Sequence, residues 1–268
     1  MRLTIRHETT YRYDSPVRYT IQQLRLTPAA SGVQRVVQWR LSAPGKLTAA
    51  RDAYGNDMHT LVLHQPHSEI HLLAEGEVET TPLADGRLDE TTHAVPVLSF
   101  ASPTPLTARS EAIDVLAGAA GVATVDQLLA LAATICEAVD YESGITAVTS
   151  TAAQALALGR GVCQDHAHLM LAVCRARGVP ARYVSGYIDP GDVPHAASHA
   201  WVDVWVGGVG WVSIDVTHAC FASGNYCRLA VGRDYESAAP VRGMRSGGAT
   251  EALHVKVAVD AAPLDRQQ

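Results

Sequence analysis

Apolar and polar positions alternate with period two from the first residues of the chain. Leu3, Ile5 and His7, then Thr9, Tyr11 and Tyr13, fall on one side of an extended backbone. Asp14-Ser15-Pro16 gives a turn signal, and Val17 to Leu26 resumes as a second predicted strand. The alternation returns at Val36–Leu41, Thr60–Leu63 and Ile70–Val78, with Tyr54-Gly55-Asn56-Asp57 as a turn before the second of these. No helical period interrupts the runs, so residues 1–90 are expected to form an antiparallel, β-sandwich-like domain. Pro82, Pro96, Pro103 and Pro105 lie among Thr, Ser and Ala and mark a connecting segment into residues 91–268.

Beyond it the period lengthens to that of helices. Thr124 with Gln127 has capping-box spacing and opens a predicted helix over Val125–Val139. Thr151 with Gln154 repeats the device before Ala155–Leu158, and Gly159 offers a stop. Cys163–Arg177 is a third helix, with Cys163, Ala167, Met170, Leu171 and Cys174 on one stripe and Gly178-Val179-Pro180 ending it. Strands follow at Ala181–Ile188, His199–Val206 and Trp211–Val216, with a loop at Asp189–Asp192 and a hairpin turn through Gly207-Gly208.

Hydrophobic residues make up 47% and charged residues 18% of 268, which predicts a packed core. The formal net charge is −6 and no Lys/Arg run occurs, which argues against a nucleic-acid partner. The longest apolar candidate, Val125–Val139, is broken by Asp126, Gln127 and Glu137 and is short of a membrane span. The first residues alternate like a strand rather than forming an apolar leader. Together with five cysteines, an odd number, this predicts free thiols and a cytoplasmic protein rather than a disulfide framework, with a Cys220–Cys227 bridge as the minor alternative.

Cys163 follows Gly161 at a predicted helix start, where unsatisfied N–H groups favour a thiolate and offer part of an oxyanion site. Cys136 and Cys174 lie on apolar helix faces and read as structural. Strand parity places His199, Trp201, Asp203 and Trp205 on one face, and Trp211, Ser213 and Asp215 likewise. A hairpin loop centred on Gly207 would set His199 directly opposite Asp215. An even loop would pair it with Val216 on the wrong face, so an odd loop or a bulge is implied. Carboxylate beside imidazole fixes the tautomer and stabilises the imidazolium. A zinc site from Cys163, His166 and His168 is disfavoured because two residues along a helix point apart and no Cys-x-x-Cys is present. No acidic loop has calcium-ligand spacing, so neither metal nor cofactor is expected. Trp201, Gln164 and His166, beside the presumptive base and nucleophile, are the substrate-contact candidates. Asp165 is expected to cap the first helical turn. Asp234 and Tyr235 would reach the cleft only if the tail folds back.

Gly161-Val162-Cys163-Gln164-Asp165-His166-Ala167, Ser198 to Trp205 and Gly210 to Asp215 resemble, in that order, the motifs of the transglutaminase-like superfamily. The segment Gly178 to Tyr187 is similar to the connection between them. The pattern around His7, Tyr11, Tyr13, Pro16 and Val17 through Leu24-Arg25-Leu26 looks like the amino-terminal β-domain of its bacterial branch. Gly232 to Tyr235 and a final strand Leu253–Val259 look like its carboxy-terminal end. The resemblance implies an α+β fold: a papain-like core of helices on an antiparallel sheet, preceded by the β-domain, with a carboxy-terminal strand folding back. It implies a Cys163–His199–Asp215 triad acting on an amide bond of a peptide or protein. Peptidase-like hydrolysis through a thioester is the leading expectation, with acyl transfer to an amine, as in transglutaminases or arylamine acetyltransferases, or a non-catalytic peptide-binding module as alternatives. The family often carries Pro directly after the catalytic Asp and Asn three residues after it; this chain has Val216 and His218.

Overall fold

The computed structural model describes residues 1–90, 94–189, 191 and 198–262. The first strand, β1 (Arg2–Leu24), runs unbroken for 23 residues. The turn expected at Asp14-Ser15-Pro16 is instead a register shift within that strand. Asp14 and Ser15 are held in place from the far end of the chain: Asp14 Oδ1 accepts from Thr250 N and Ser15 Oγ from Ala249 N. A Pro lacks a donor for the ladder but is tolerated at such an irregularity.

Around β1 stand β2 (Gln34–Ser42), β3 (Leu47–Arg51), β4 (Asp57–Leu63) and β5 (His67–Thr80) in the order β2-β5-β1-β4-β3. Residues 2–12 of β1 pair with β5, whereas residues 20–24 pair with β4. The two halves of one sheet thereby enclose a shared core in which Leu24 and Leu61 meet Ile70 and Leu72. That is the sandwich-like packing expected, built from one sheet. Each fully buried Leu or Ile contributes about 1.5–3 kcal/mol relative to exposure. Three-residue helical turns follow at Ala84–Gly86 and Pro105–Thr107, with Val97–Phe100 between them. The boundary expected at residue 90 borders residues 91–93, which lie outside the described residues.

The second half contains α1 (Glu111–Ala119), α2 (Val125–Ala138), β6 (Asp140–Tyr141), α3 (Ala152–Leu158), β7 (Arg160–Gly161) and α4 (Cys163–Ala176). Then come β8 (Ala181–Ile188), β9 (Ser198–Val206), β10 (Gly210–Asp215), β11 (Cys220–Phe221), β12 (Tyr226–Gly232), α5 (Tyr235–Ala238), β13 (Val241–Gly247) and β14 (Glu251–Ala262). Pro190 and Asp192 of the expected Asp189–Asp192 loop are outside the described residues. Thr151 and Gln154 form the reciprocal box. At α2 the Thr124 hydroxyl accepts from Gln127 N as expected, but Gln127 reaches back one residue further, to Ala123 N. Strands β11-β10-β9-β8-β12 form an antiparallel sheet, and α4 packs across β8 and β9 under α1, α2 and α3. Strands β13 and β14 leave this core and pair with β1, completing the seven-stranded sheet from the carboxy-terminal side.

The single apolar stripe expected for α4 understates its burial. Every residue from Gln164 to Arg175 is buried. A polar side chain in that position needs a partner, and those of α4 fasten the segments around it. Arg175 donates to the carbonyls of Phe100, Ala181 and Arg233 and to Thr107 Oγ1. His168 Nε2 accepts from Tyr235 N at 3.2 Å.

Candidate active site

Cys163 is the first residue of α4, partly exposed, with Val162 in extended conformation before it. Asp165 sets this start: its Oδ2 accepts from Val162 N at 2.8 Å and from the Thr146 hydroxyl at 2.7 Å. Gly161 must be small, because a Cβ there would come within 2.8 Å of the Asp165 side chain. The first amides of α4 to find a helical acceptor are those of Asp165 and His166, on Val162 O, so the Cys163 and Gln164 amides ahead of them are placed to meet an oxyanion beside the sulfur.

His199 and Asp215 meet across the β9–β10 hairpin. The loop is odd, as parity required, but centred on Gly208 rather than Gly207: Val206 faces Gly210, Ser213 faces Asp203 and Ile214 faces Val202. Gly208, with φ +77°, takes the left-handed turn conformation that glycine tolerates. The two-residue shift preserves the shared face and makes the pair diagonal. His199 Nε2 still donates to Asp215 Oδ2 at 2.7 Å. With Nε2 so engaged, the ring's other nitrogen is left for Cys163, whose sulfur lies near enough to help raise the imidazole's pKa.

Asp215 is fully buried, and its Oδ2 accepts two further bonds at 2.7 Å, from His218 Nδ1 and from the Tyr226 hydroxyl. The His218 backbone N–H adds a bond to Oδ1 at 3.3 Å. Burial works against the Asp215 carboxylate, but the hydrogen bonds from His199 and His218 override it and hold its pKa well below the ordinary range. Burial likewise opposes the His199 imidazolium, yet its bonds to Asp215 and Cys163 raise it to about 10. The arrangement favours an imidazolium wedged between sulfur and carboxylate, the state that activates a cysteine nucleophile. Ligand atoms of His199, Asp215 and His218 lie within 4.8 Å of one another, but the two ring nitrogens sit at hydrogen-bond distance from one carboxylate oxygen.

The expected substrate contacts are placed otherwise. Trp201 is fully buried; its ring stacks behind His199 at 6.3 Å, meets Tyr226 edge-on at 5.3 Å, and presents no surface to a substrate. Gly186, opposite His199 in the sheet, leaves room for it, since a Cβ there would lie 2.5 Å from the indole. His166 is also a support rather than a contact. Its Nε2 donates to Val139 O at 2.9 Å, its Nδ1 accepts from Thr217 Oγ1 at 3.0 Å, and burial lowers its pKa so that it stays neutral. Gln164 is buried and donates to Val148 O at 3.0 Å, fixing the loop beside the nucleophile. Trp205 and Trp211 pack edge to face, and Trp211 continues onto Phe100. Asp234 caps α5 by accepting from Ser237 N.

Burial raises the thiol pKa of Cys136 and Cys220, and pushes Cys174 up to about 12 and Cys227 higher still. All five cysteines are free. Tyr226 had no signal in the sequence, because Tyr226–Gly232 carries no apolar–polar alternation to mark it as a strand. No described helix is long and apolar enough to cross a membrane.

Residues 113–216 match the transglutaminase-like superfamily, and residues 3–79 match the bacterial transglutaminase-like N-terminal region. An uncharacterised protein of Mycobacterium leprae is 33% identical over 93% of this chain and 95% of its own length. A Mycobacterium tuberculosis protein is 29% identical over 98% and 93%. The protein-glutamine gamma-glutamyltransferase of Pseudomonas aeruginosa is 34% identical over 100 residues, 33% of this chain and 15% of that protein. In fold, the chain is similar to the crystal structure of a candidate cysteine protease from Cytophaga hutchinsonii, with TM-score 0.78 at 22% identity over 98% of this chain and 92% of that one. With the core and the amino-terminal region both matched, and the order Cys163, His199, Asp215 set on the fold those motifs specify, the chain belongs to the transglutaminase-like superfamily.

Proposed function

We propose that the protein is a cysteine peptidase that hydrolyses a peptide or isopeptide bond with a Cys163–His199–Asp215 triad. The observation that carries this reading is His199 held between Cys163 and a buried Asp215. Cys163 Sγ adds to the amide carbonyl, and the oxyanion is met by the first amides of α4. The C–N bond breaks as His199 passes its proton to the leaving amine, leaving a thioester on Cys163. Water then attacks the thioester while His199 takes its proton. The C–S bond breaks, the acid leaves and the sulfur is free again. Asp215 keeps the imidazole oriented and stabilises its charged form without becoming protonated.

A second reading follows from the 34% identity to the Pseudomonas glutamyltransferase over 100 residues. An amine replaces water at the thioester, and the product is a new amide. Incubating the purified protein with a diverse peptide library, with and without a primary amine, and weighing the products separates the two. Cleavage products unaffected by amine support hydrolysis; products heavier by amine minus ammonia support transfer. Cys163→Ala should lower either rate by about four orders of magnitude or more, and full activity in the folded variant would overturn the assignment. Brief iodoacetamide treatment near neutral pH should label Cys163 ahead of the other four cysteines, and more slowly in His199→Ala.

A further inference from the structure

Between the seven-stranded sheet and the core lies a cleft of about 760 Å³, inside the ~300–1,000 Å³ range of ligand sites. Strand register builds its floor. β14 pairs with β1 so that Thr9 faces Val255, Tyr11 faces Leu253 and Tyr13 faces Glu251, and all six line the cleft. Farther along β14 the same face is closed, with Val257, Val259 and Ala261 packed with Tyr187, Cys227 and Leu229. Where sheet and core part, Leu253 and Val255 are left 51% and 53% exposed, and Met244 on β13 is 70% exposed. A strand face that is core at one end and bare at the other marks a surface built to be covered.

The polar side of the floor points the same way. Gln22 is 5% exposed, yet its Oε1 is enclosed without a partner among the described residues. Gly243 stands opposite it and leaves it room, since a Cβ there would lie 2.7 Å from Gln22 Cγ. The charged lining residues cancel in pairs, Arg245 with Glu251 at 3.2 Å and Arg242 with Glu236. His7 is occupied by Tyr187 Oη at 2.7 Å and Thr9 Oγ1 at 2.9 Å. One end of the cleft is lined by Ser198, the residue before His199, and by Val148, whose carbonyl accepts from Gln164, the residue after Cys163.

We propose that this cleft binds an extended, uncharged stretch of the substrate polypeptide, its apolar side chains on Met244, Leu253 and Val255 and its amides toward Gln22, and leads it to Cys163. The proposal rests on the amide-bond reading above for what happens at Cys163, but binding itself is separately measurable. The full-length Cys163→Ala protein is incubated with an equimolar library of acetylated, amidated decapeptides, and retained peptides are identified by mass. Apolar, uncharged sequences should be enriched at least tenfold over charged ones. A Leu253→Glu/Val255→Glu double variant should abolish that enrichment with an unchanged melting profile, since both positions are half exposed. Gln22→Leu, which removes the enclosed and unpartnered Oε1, should weaken retention several-fold while leaving the melt unchanged or raised. Should the double variant melt early, Met244→Glu, at a more exposed position, serves in its place. Equal retention in these variants, or preference for charged peptides, overturns the proposal. An inert Cys163 with selective, Leu253-dependent retention would instead remove the peptidase reading and leave the cleft as a peptide site.

Discussion

Asp203 and Asp215 are both fully buried and lie on one face of one hairpin, yet they are partnered in opposite ways. Asp203 is met by Arg182 Nε at 2.7 Å and by both terminal nitrogens of Arg228, and Arg182 continues to Glu90 through two bonds. Arg182 also lies 4.4 Å over the Trp211 ring. Burial opposes the Asp203 carboxylate, but Arg228 and Arg182 outweigh it and keep its pKa low. Its partners carry permanent charge. Asp215 instead meets two imidazoles and a phenol, none of them a guanidinium, and burial together with Asp215 holds the Tyr226 phenol well above its ordinary pKa. On the proposed mechanism the contrast separates a structural carboxylate from a working one when burial is the same: the first is surrounded by fixed cations, the second faces an imidazole whose protonation changes during the reaction.

Substituting both carboxylates separates these roles. Asp215→Asn should lower kcat by about 10²–10⁴ while costing about 1–2 kcal/mol of stability. In the proposed mechanism the imidazole transfers the proton and the carboxylate only orients it, so His199→Ala should cost more rate than Asp215→Asn. Asp203→Asn should show the reverse pattern, a loss of about 3–5 kcal/mol from buried guanidiniums left without their counter-charge, with kcat of the folded protein near wild type. Urea denaturation and initial rates on the same preparations check both. An Asp203→Asn protein that loses rate but keeps stability would erase the distinction.

Titration sharpens it. The folded pKa of His199 is raised to about 10 against an ordinary value of 6.5. Its ion-pair contribution to stability is therefore full below pH 6.5 and lost as pH rises through 10. The Asp215 pKa is depressed, so its contribution is present above the ordinary 3.8 and lost as pH falls toward its folded value. The ordinary pKa of a guanidinium lies above that alkaline window. The stability gap between wild type and His199→Gln should thus narrow between pH 6.5 and 10, whereas the gap to Arg228→Met should stay level. Denaturation curves at intervals across that range decide it, and a level His199→Gln gap would mean the imidazolium is not held by its partners.

Much of this site was legible because strand parity is a hard constraint. Even with the hairpin turn misplaced by two residues, His199 and Asp215 could not leave their shared face. The capping threonines and Gly159 were legible for the same reason, since they report local geometry. What escaped were properties set by distant segments. Asp14-Ser15-Pro16 reads as a turn until β13 and β14 arrive to hold it straight. His166, Gln164 and Trp201 stand close to Cys163 and His199 in sequence, but α4 and β9 are buried along nearly their whole length, so adjacency there leads into the core. The cleft itself is an encounter of β1, β13, β14 and α5, and no single stretch of sequence contains it.

The smallest effect expected concerns His218, which occupies the place where relatives often carry Asn. It donates twice to Asp215, through Nδ1 to Oδ2 and through its backbone N–H to Oδ1, and only the first bond depends on the side chain. Its side chain is 37% exposed, so solvent screens that bond, and Asp215 retains His199 and Tyr226 without it. His218→Ala should therefore lower kcat only about three- to tenfold. His218→Asn, whose amide can donate to the same oxygen, should stay within about twofold of wild type, and Tyr226→Phe should resemble His218→Ala because it too removes one of three donors. If His218 serves only to fill space, Ala and Asn variants will fall together. If it positions the carboxylate, Asn will rescue what Ala loses, and KM will stay constant across the series while kcat moves. A His218→Ala loss as deep as that of Asp215→Asn would instead show that Asp215 is poised by His218 as much as by His199, and the list of groups that carry the reaction would grow to four.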